Sequence, residues 1–330
     1  MEHNLLHTFS DCYRFEYIHF NKGLLDNIID AVYVILLERS NRNKGVFEQI
    51  NEYKLSKNNY IQINKGYSPD FQNICKKSLI KSRTHRGPVV GGRGESTGDL
   101  IEGKANYDLL DSNYNIWLHA KEKNYNNILV LEDDFIFDNN IKDKGILKDL
   151  DNFINKNDFD IYLLGFVTST IFHPYLSIKH RKMINIPQTK LLNPLRMKGA
   201  AWTGATAVIL SKHVRDDLIY NYENNIEWIK ENGGHVDIIY GRYNVYSYYK
   251  PLCYQLLPLT ENMENWWWSG TIFQDIFLKA IKSLKLDKKY DGHHISKGYN
   301  IMVTITHIIS ILVYLLIIYL IYNLYCMCKK

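Results

Sequence analysis

The hydrophobic residues of this chain fall into two main patterns, and the first of them predicts buried strands. Short apolar runs bounded by polar turns are typical of strands that are covered on both faces. Such runs occur at 31–37, 61–64, 128–137 (interrupted by three acidic residues), 160–165 and 200–210. The run at 31–37 contains no charged residue and is predicted to be the first strand of the core.

The second pattern is helical spacing of apolar residues between these runs. It predicts helices at 46–55, 107–123 and 271–286, and a further helix that begins at Lys212. Strands that alternate with helices in this way build a parallel sheet, so the sequence predicts an α/β domain. The polar, Gly-rich stretch at 76–103 is predicted to be a long loop, either a lid or a disordered segment.

A long apolar run at 301–322 contains no charged residue. About 20 such residues suffice to cross the hydrocarbon layer of a membrane. A buried core helix is the alternative, but it would normally carry a polar stripe. The sequence therefore predicts a single transmembrane helix. The expected layout is an N-terminal extension at 1–30, a globular domain at 31–286, a stalk at 287–300, the span at 301–322 and a short tail at 323–330.

The position of this span predicts how the protein is attached to a membrane. Because only 323–330 follow it, the chain is expected to be tail-anchored. Residues 1–20 lack the basic and hydrophobic regions of a secretory signal. More lysines precede the span than follow it, and the more basic side tends to stay cytosolic. The globular domain is therefore expected to face the cytosol, although the difference is a few charges and a lumenal orientation stays open.

Composition narrows the class of protein without identifying it. A chain of 330 residues that is 46% hydrophobic can bury one or two full cores. Its five cysteines are odd in number and lack paired spacing, so no disulfide framework is expected. The net charge of +5 comes from dispersed lysines, so nucleic-acid binding gains no support.

Candidate chemistry is concentrated where the run at 128–137 is interrupted by Glu132, Asp133 and Asp134. Three adjacent carboxylates at the end of a buried strand repel one another and lose hydration, which is costly unless a cation or hydrogen-bond donors compensate. Hard oxygen ligands of this kind suit Mg²⁺ or Mn²⁺. A solvated turn after a strand is the alternative interpretation.

Several segments, in order, resemble family 25 glycosyltransferases, a group of lipooligosaccharide-biosynthesis and procollagen galactosyltransferase-like enzymes. The similar segments are 33–42 with its two arginines, 112–120, 128–135, 160–165, 203–211, 235–237 and 249–252. Together they span most of the globular region. The chain departs from the family at Leu36, where Asn is usual, in the helix at 108–113, which lacks a Gly-Cys…Ser-His pattern, and at 172–198.

The resemblance implies a GT-A fold, a Rossmann-like domain that binds a nucleotide diphospho-sugar at its carboxyl strand ends. It implies inverting transfer of a hexose, galactose or glucose by analogy, from a UDP-sugar to a glycan, protein or lipid hydroxyl. Mn²⁺ or Mg²⁺ is expected to bridge the donor diphosphate, with Asp134 as the main ligand. Glu132 is expected as a ligand or, like Asp133, near the ribose or sugar.

Further site residues follow from the same resemblance. Arg39, Arg42 and Gly204 are expected near the nucleotide, although the arginines could equally be surface charges. Asp237 is the candidate base for the acceptor hydroxyl, or else a second metal ligand. His235 is a further candidate metal ligand, with a structural hydrogen-bonding role as the alternative.

Two other interpretations of the chain stay open. It could be an inactive GT-A-like scaffold or a carbohydrate-binding membrane protein, or a transferase of another GT-A family. The triplet at 266–268, three tryptophans, suits sugar stacking but equally suits core or membrane-interface packing.

Overall fold

The computed structural model describes residues 13–38, 40, 42–64, 105–156, 159–167, 189–191, 203–225, 228, 235–248, 251–256, 272–285 and 291–328. The strands in these ranges are β1 Tyr13–His19, β2 Ala31–Leu37, β3 Asn58–Asn64, β4 Ile128–Glu132, β5 Phe135–Phe137, β6 Ile161–Val167, β7 Thr189–Leu191, β8 Thr203–Leu210, β9 Val245–Ser247 and β10 Cys253–Gln255. The α-helices are α1 Asn43–Tyr53, α2 Ala105–Glu122, α3 Lys144–Lys156, α4 Lys212–Asn224, α5 Val236–Tyr240, α6 Ile272–Ser283 and α7 Gly292–Cys328.

These strands form one mixed sheet in the order β1-β3-β2-β4-β8-β6-β10-β5, with β9 beside β6 and β7 beside β9. β2 lies between β3 and β4 and is parallel to both of them. β8 is antiparallel to β4 and to β6. The predicted α/β class is therefore confirmed, with a mixed rather than a purely parallel sheet.

Helices cover both faces of the sheet, as the unbroken apolar runs require. Alternate residues of a strand point to opposite faces, so Tyr33 and Val130 join one core while Val34 and Leu131 join the other. The first core contains buried residues of α2 and α4, namely Tyr114, Trp117, Leu218 and Tyr222. The second contains residues of α1 and α3, namely Val46, Ile50, Leu150 and Ile154.

The predicted strands and helices agree with this architecture, with small shifts of their ends. The strand expected at 61–64 begins three residues earlier, and the helix expected at 46–55 is Asn43–Tyr53. The helix expected at 271–286 is Ile272–Ser283. The predicted loop at 76–103 lies outside the described residues.

The sheet begins inside the segment expected to be an N-terminal extension. β1 pairs antiparallel with β3 over seven residues, and the hydroxyl of the buried Tyr13 donates to Asp111 Oδ2 at 2.6 Å. Burial raises the pKa of Asp111, and Tyr222 donates a second hydrogen bond to the same carboxylate. β1 alternates charged and apolar residues, which is why it has no unbroken apolar run.

α7 begins inside the segment expected to be a stalk. Gly292 contacts the end of β5, since a Cβ atom there would lie 2.0 Å from the Phe137 carbonyl oxygen, and Ile295 is buried. The helix continues for 37 residues to Cys328. Six positions between 299 and 310 have no described side chain. Among the residues that are described, no helix is long and apolar enough to span a membrane.

Candidate functional site

The acidic turn lies where the order of the parallel strands reverses. The chain passes from β2 outward to β3 on one side, and then returns to β4 on the other side of β2. In open α/β sheets the crevice beyond the carboxyl ends of strands at such a point is the usual ligand site. The turn after β2 carries Ser40 and Arg42, and the turn after β4 carries Asp133 and Asp134.

Asp133 joins these two turns. Its Oδ2 accepts a hydrogen bond from Ser40 Oγ at 2.8 Å, and its Oδ1 accepts one from Arg42 Nη1. The Arg42 and Asp133 side chains are 18% and 14% exposed, so this ion pair is partly shielded from water. Both carboxylate oxygens of Asp133 are therefore hydrogen-bonded to protein groups.

Asp134 is buried and has only part of its hydrogen-bonding capacity satisfied. Its Oδ2 accepts from Gln255 Nε2 at 3.0 Å and lies 3.7 Å from Arg42 Nη1. Its backbone carbonyl accepts from the Leu256 N–H at 2.7 Å. The end of β10 and the residue after it therefore bind both the side chain and the backbone of Asp134. Within the described part of the chain, Oδ1 is buried and has no hydrogen-bond partner. A buried carboxylate oxygen is costly unless a cation or a hydrogen-bond donor satisfies it.

The electrostatics of the turn lead to the same inference. Burial, followed by repulsion from Asp133, raises the pKa of Asp134 to about 7. Burial, followed by repulsion from Asp134, Asp133 and Asp237, raises the pKa of Glu132 to about 8. The Arg42 guanidinium lowers both pKa values. Among the described residues, Arg42 is the cation that acts on this group, and both pKa values stay well above those of ordinary carboxyl groups.

Asp237 lies close enough to Glu132 for its charge to act on that residue. It is half-buried in the first turn of α5, which packs against β8 and α2. Its Oδ1 accepts from the Ile238 N–H at 2.9 Å. The chain thus returns a fourth carboxylate to the site about 100 residues after the acidic turn.

His235 comes directly before α5. Its backbone carbonyl accepts the Ile239 N–H at 3.0 Å, and burial lowers the pKa of its imidazole. A neutral imidazole is the form that can bind a metal. The structure also gives His235 a place at the start of a helix, which is the structural alternative.

The donor set bears on whether a metal fits here. Within the described residues, no group of three or more His, Cys, Asp or Glu side chains is arranged to hold a metal ion. Mg²⁺ and Mn²⁺ are nevertheless often held by one or two carboxylates, with waters and substrate phosphates completing the shell. Asp134 Oδ1 and the Glu132 carboxylate fit that kind of site, and Asp133 does not because Arg42 and Ser40 occupy it.

Of the remaining predicted residues, some lie outside the described parts of the chain and one lies near the site. Arg39 and 266–268 lie outside the described residues. Gly204 is in β8, and the pairing of Ala207 with Leu131 puts it beyond the end of β4, at the same edge of the sheet as the acidic turn.

Two site residues, Ser40 and Gln255, were missed in the sequence. Ser40 had a usable signal, because it is a polar residue in the turn that follows a buried strand. Gln255 had none, since it contacts Asp134 only through the pairing of β10 with β5.

Comparison with known proteins adds no assignment. No family model matches the chain, and no curated protein matches it significantly. The fold and site define a mixed α/β domain with buried carboxylates at the carboxyl ends of its parallel strands.

Proposed function

We propose that this protein is a metal-dependent GT-A glycosyltransferase, similar to family 25, that transfers a hexose from a UDP-sugar to a hydroxyl acceptor with inversion. The observation that carries the proposal is the buried Oδ1 of Asp134, which no described residue hydrogen-bonds, beside Glu132 at the strand-order reversal. A nucleotide diphosphate is anionic, so it binds near carboxylates only with a cation between them. A divalent metal with a diphosphate ligand satisfies both groups.

In this proposal the side chains of the site have separate roles in binding the metal and in fixing the acidic turn. Asp134 and Glu132 would hold Mn²⁺ or Mg²⁺, and the bound metal would neutralise charge that develops on the departing diphosphate. Arg42 and Ser40 fix Asp133, and through it they hold the acidic turn against the turn after β2. Gln255 orients Asp134 so that Oδ2 is occupied and Oδ1 stays available.

Inversion requires a base on the face of the sugar opposite the leaving group. Asp237 is our candidate, because it is half-buried and reaches the site from a different element than the acidic turn. Its carboxylate would accept the proton of the acceptor hydroxyl as that oxygen attacks the sugar carbon. The acceptor is a glycan, protein or lipid, and galactose or glucose is the proposed sugar.

Membrane attachment through α7 is part of the proposal. The run at 301–322 has no charged residue, and its described side chains are largely exposed, as with Leu312, Leu316 and Ile318 at 56–61%. Exposed apolar surface of this extent marks contact with a membrane or another protein. The lysines before the span support a cytosolic domain.

The test is donor binding by the full chain in detergent. Calorimetric titration with UDP-galactose, UDP-glucose and GDP-sugars, in Mn²⁺ or in EDTA, is expected to give Mn²⁺-dependent binding of one donor. Asp134→Asn keeps the shape but removes the charge, and should weaken that binding at least about 10- to 100-fold, the range for metal-site partners. Asp275→Asn, which changes an exposed carboxylate on α6, is the matched control.

Two results would contradict the proposal. Absence of donor binding under any metal would favour the scaffold or carbohydrate-binding alternative. Equal donor binding in Mn²⁺ and EDTA would show that the acidic turn is only a structural turn.

A further inference from the structure

We propose that a cavity beside the first turns of α7 binds the headgroup phosphate of an anionic membrane lipid, an inference that rests on the proposed membrane attachment. The cavity is an open groove along one face of α7, with a volume of about 450 Å³. Its polar end is lined by His293, Ser296, Lys297 and Asn300, and its more apolar end by Ile301, Thr304 and Ile305. We call it the headgroup cavity.

The polar end has the chemistry of a phosphate site. Residues three and four apart on a helix lie on one face, so Lys297 and His293 direct cationic or donor groups to the same space as Asn300. No acidic residue is among the described residues that line the cavity. Lys297 has no ion-pair partner among the parts of the chain that are described, and its ammonium group is therefore available to an anion.

The cavity lies at the depth where lipid phosphates are found. Lys297 precedes the start of the apolar run by four residues, which is about 6 Å along a helix at 1.5 Å per residue. The headgroup layer of a bilayer extends roughly 5–8 Å beyond the hydrocarbon on each side. A lipid whose phosphate is bound by Lys297 would therefore have its acyl chains alongside Ile301 and Ile305.

The helix that lines the cavity is fixed to the strands of the candidate site. The Tyr254 hydroxyl lies 3.1 Å from Ser296 Oγ, and Ile295 is 3% exposed. Tyr254 is the neighbour of Gln255, which donates to Asp134. A lipid held in the headgroup cavity would thus set the orientation of the carboxylate site relative to the membrane surface.

The test is lipid binding by the full chain, measured by native mass spectrometry from detergent with phosphatidylglycerol or phosphatidylcholine as the probe. One phosphatidylglycerol molecule is expected to bind at least fivefold more tightly than phosphatidylcholine. Lys297→Gln should reduce that preference about fivefold, the effect of one basic residue at an anionic surface. Lys279→Gln, on the exposed side of α6, is the matched control and should leave it unchanged.

The outcomes separate this inference from the one it rests on. Equal binding of the two lipids, or an unchanged preference in Lys297→Gln, overturns the headgroup cavity. Competition by free glycerol phosphate at the same concentration as the lipid also overturns it, because the site would then recognise the phosphate without the acyl chains of the lipid. Release of the full chain from membranes by alkaline carbonate overturns the membrane attachment instead.

Discussion

Neighbouring residues of the acidic turn differ in how their charges are compensated. Asp133 receives hydrogen bonds from Ser40 and Arg42, whereas Asp134 has one donor to Oδ2 and none to Oδ1 among the described residues. Replacing a partner of Asp133 would loosen the acidic turn. Replacing Gln255 would remove the hydrogen bond that fixes Asp134 Oδ2. These two effects can be separated experimentally.

Gln255→Leu tests the partner of Asp134. The change leaves a second buried carboxylate oxygen without a donor, which costs about 1–3 kcal/mol of stability. It also releases the Asp134 side chain, so Mn²⁺-dependent donor binding should weaken roughly 10-fold or more. Calorimetric titration and urea unfolding of the full chain in detergent measure the two effects.

Tyr254→Phe is the control for this prediction. It also removes one polar group from β10, but that group faces Ser296 rather than the carboxylates. It should change donor affinity much less than Gln255→Leu. Equal loss of affinity in both variants would mean that β10 as a whole, and not the hydrogen bond to Asp134, supports the site.

His119 gives the structure a pH dependence away from the candidate site. Its Nδ1 lies 2.7 Å from the Tyr33 hydroxyl, and its ring stacks on Phe15 at 4.5 Å. Burial, with a smaller contribution from Lys123, lowers the pKa of His119 to about 4. Below about pH 6.5 the unfolded chain binds a proton that the folded chain does not, so stability falls as the pH drops from 6.5 to 4.

His119→Gln should remove this part of the acid sensitivity. The shift corresponds to about 3 kcal/mol between pH 7 and pH 4 at 1.4 kcal/mol per pKa unit. Glutamine still accepts a hydrogen bond from Tyr33 but does not titrate. Urea unfolding at pH 7 and pH 4.5 should therefore show a smaller stability difference in the variant than in the unmodified chain. His19→Gln, an exposed change in β1, is the control, and an equal reduction there would contradict the assignment.

At the scale of elements, β5, β10 and the start of α7 form one contact region. β5 follows the acidic turn directly and pairs with β10, and Gly292 of α7 lies against the end of β5. The site is thus supported by short elements that meet across more than 150 residues of sequence. A change in their packing should reach the carboxylates.

Gly292→Ala tests that coupling. The new Cβ would lie 2.0 Å from the backbone carbonyl oxygen of Phe137, so α7 or β5 must move. Overpacking of this kind costs about 1–3 kcal/mol, and donor affinity should fall with stability because β5 continues from Asp134. Urea unfolding and donor titration of the full chain measure both quantities.

Gly145→Ala is the control for Gly292→Ala. Its Cβ would lie 3.0 Å from Asp143 Oδ1, a side-chain atom that accepts hydrogen bonds from the Gly145 and Ile146 N–H groups and would have to shift slightly. Alanine also favours a helix interior by about 1 kcal/mol over glycine. This variant should therefore change stability much less than Gly292→Ala. A similar loss in both variants would argue against the contact between α7 and β5.

Local periodicity predicted most of the elements that carry their own pattern, but it missed α3, whose apolar residues have helical spacing, and it missed strands that depend on distant pairing. β2 and β4 are unbroken apolar runs, and α2 has clear helical spacing, so each was found within a few residues of its ends. β1 alternates charged and apolar positions, and β10 is only three residues long. Such strands are specified by their neighbours rather than by local periodicity.

The candidate site divides in the same way. Glu132, Asp133 and Asp134 follow a predictable strand, and Arg42 follows another, so the sequence indicated all four. The pairing of Arg42 with Asp133 and the contact of Gln255 with Asp134 join residues 91 and 121 positions apart. Only the strand order brings such residues together, and periodicity does not encode that order.

At the scale of the whole molecule, the sheet that would bind the donor is connected to the helix that would attach to the membrane. α7 is one continuous helix from its contact with β5 to Cys328. A rigid connection of this kind would keep the carboxylate site at a fixed height above the bilayer. The proposed membrane attachment therefore has consequences for the site as well as for localisation.

The attachment is tested by Leu312→Lys with Leu316→Lys, two changes near the middle of the apolar run. Each lysine costs about 2.5–3.5 kcal/mol at the centre of a membrane helix. The full chain should resist extraction by alkaline carbonate and float with liposomes, whereas the double variant should be released. Tyr220→Lys, at an exposed position of α4, is the control and should stay with the membrane. Release of the unmodified chain would contradict the membrane attachment and favour packing of the exposed apolar face of α7 against protein, and the proposed fixed height of the site would be lost with it.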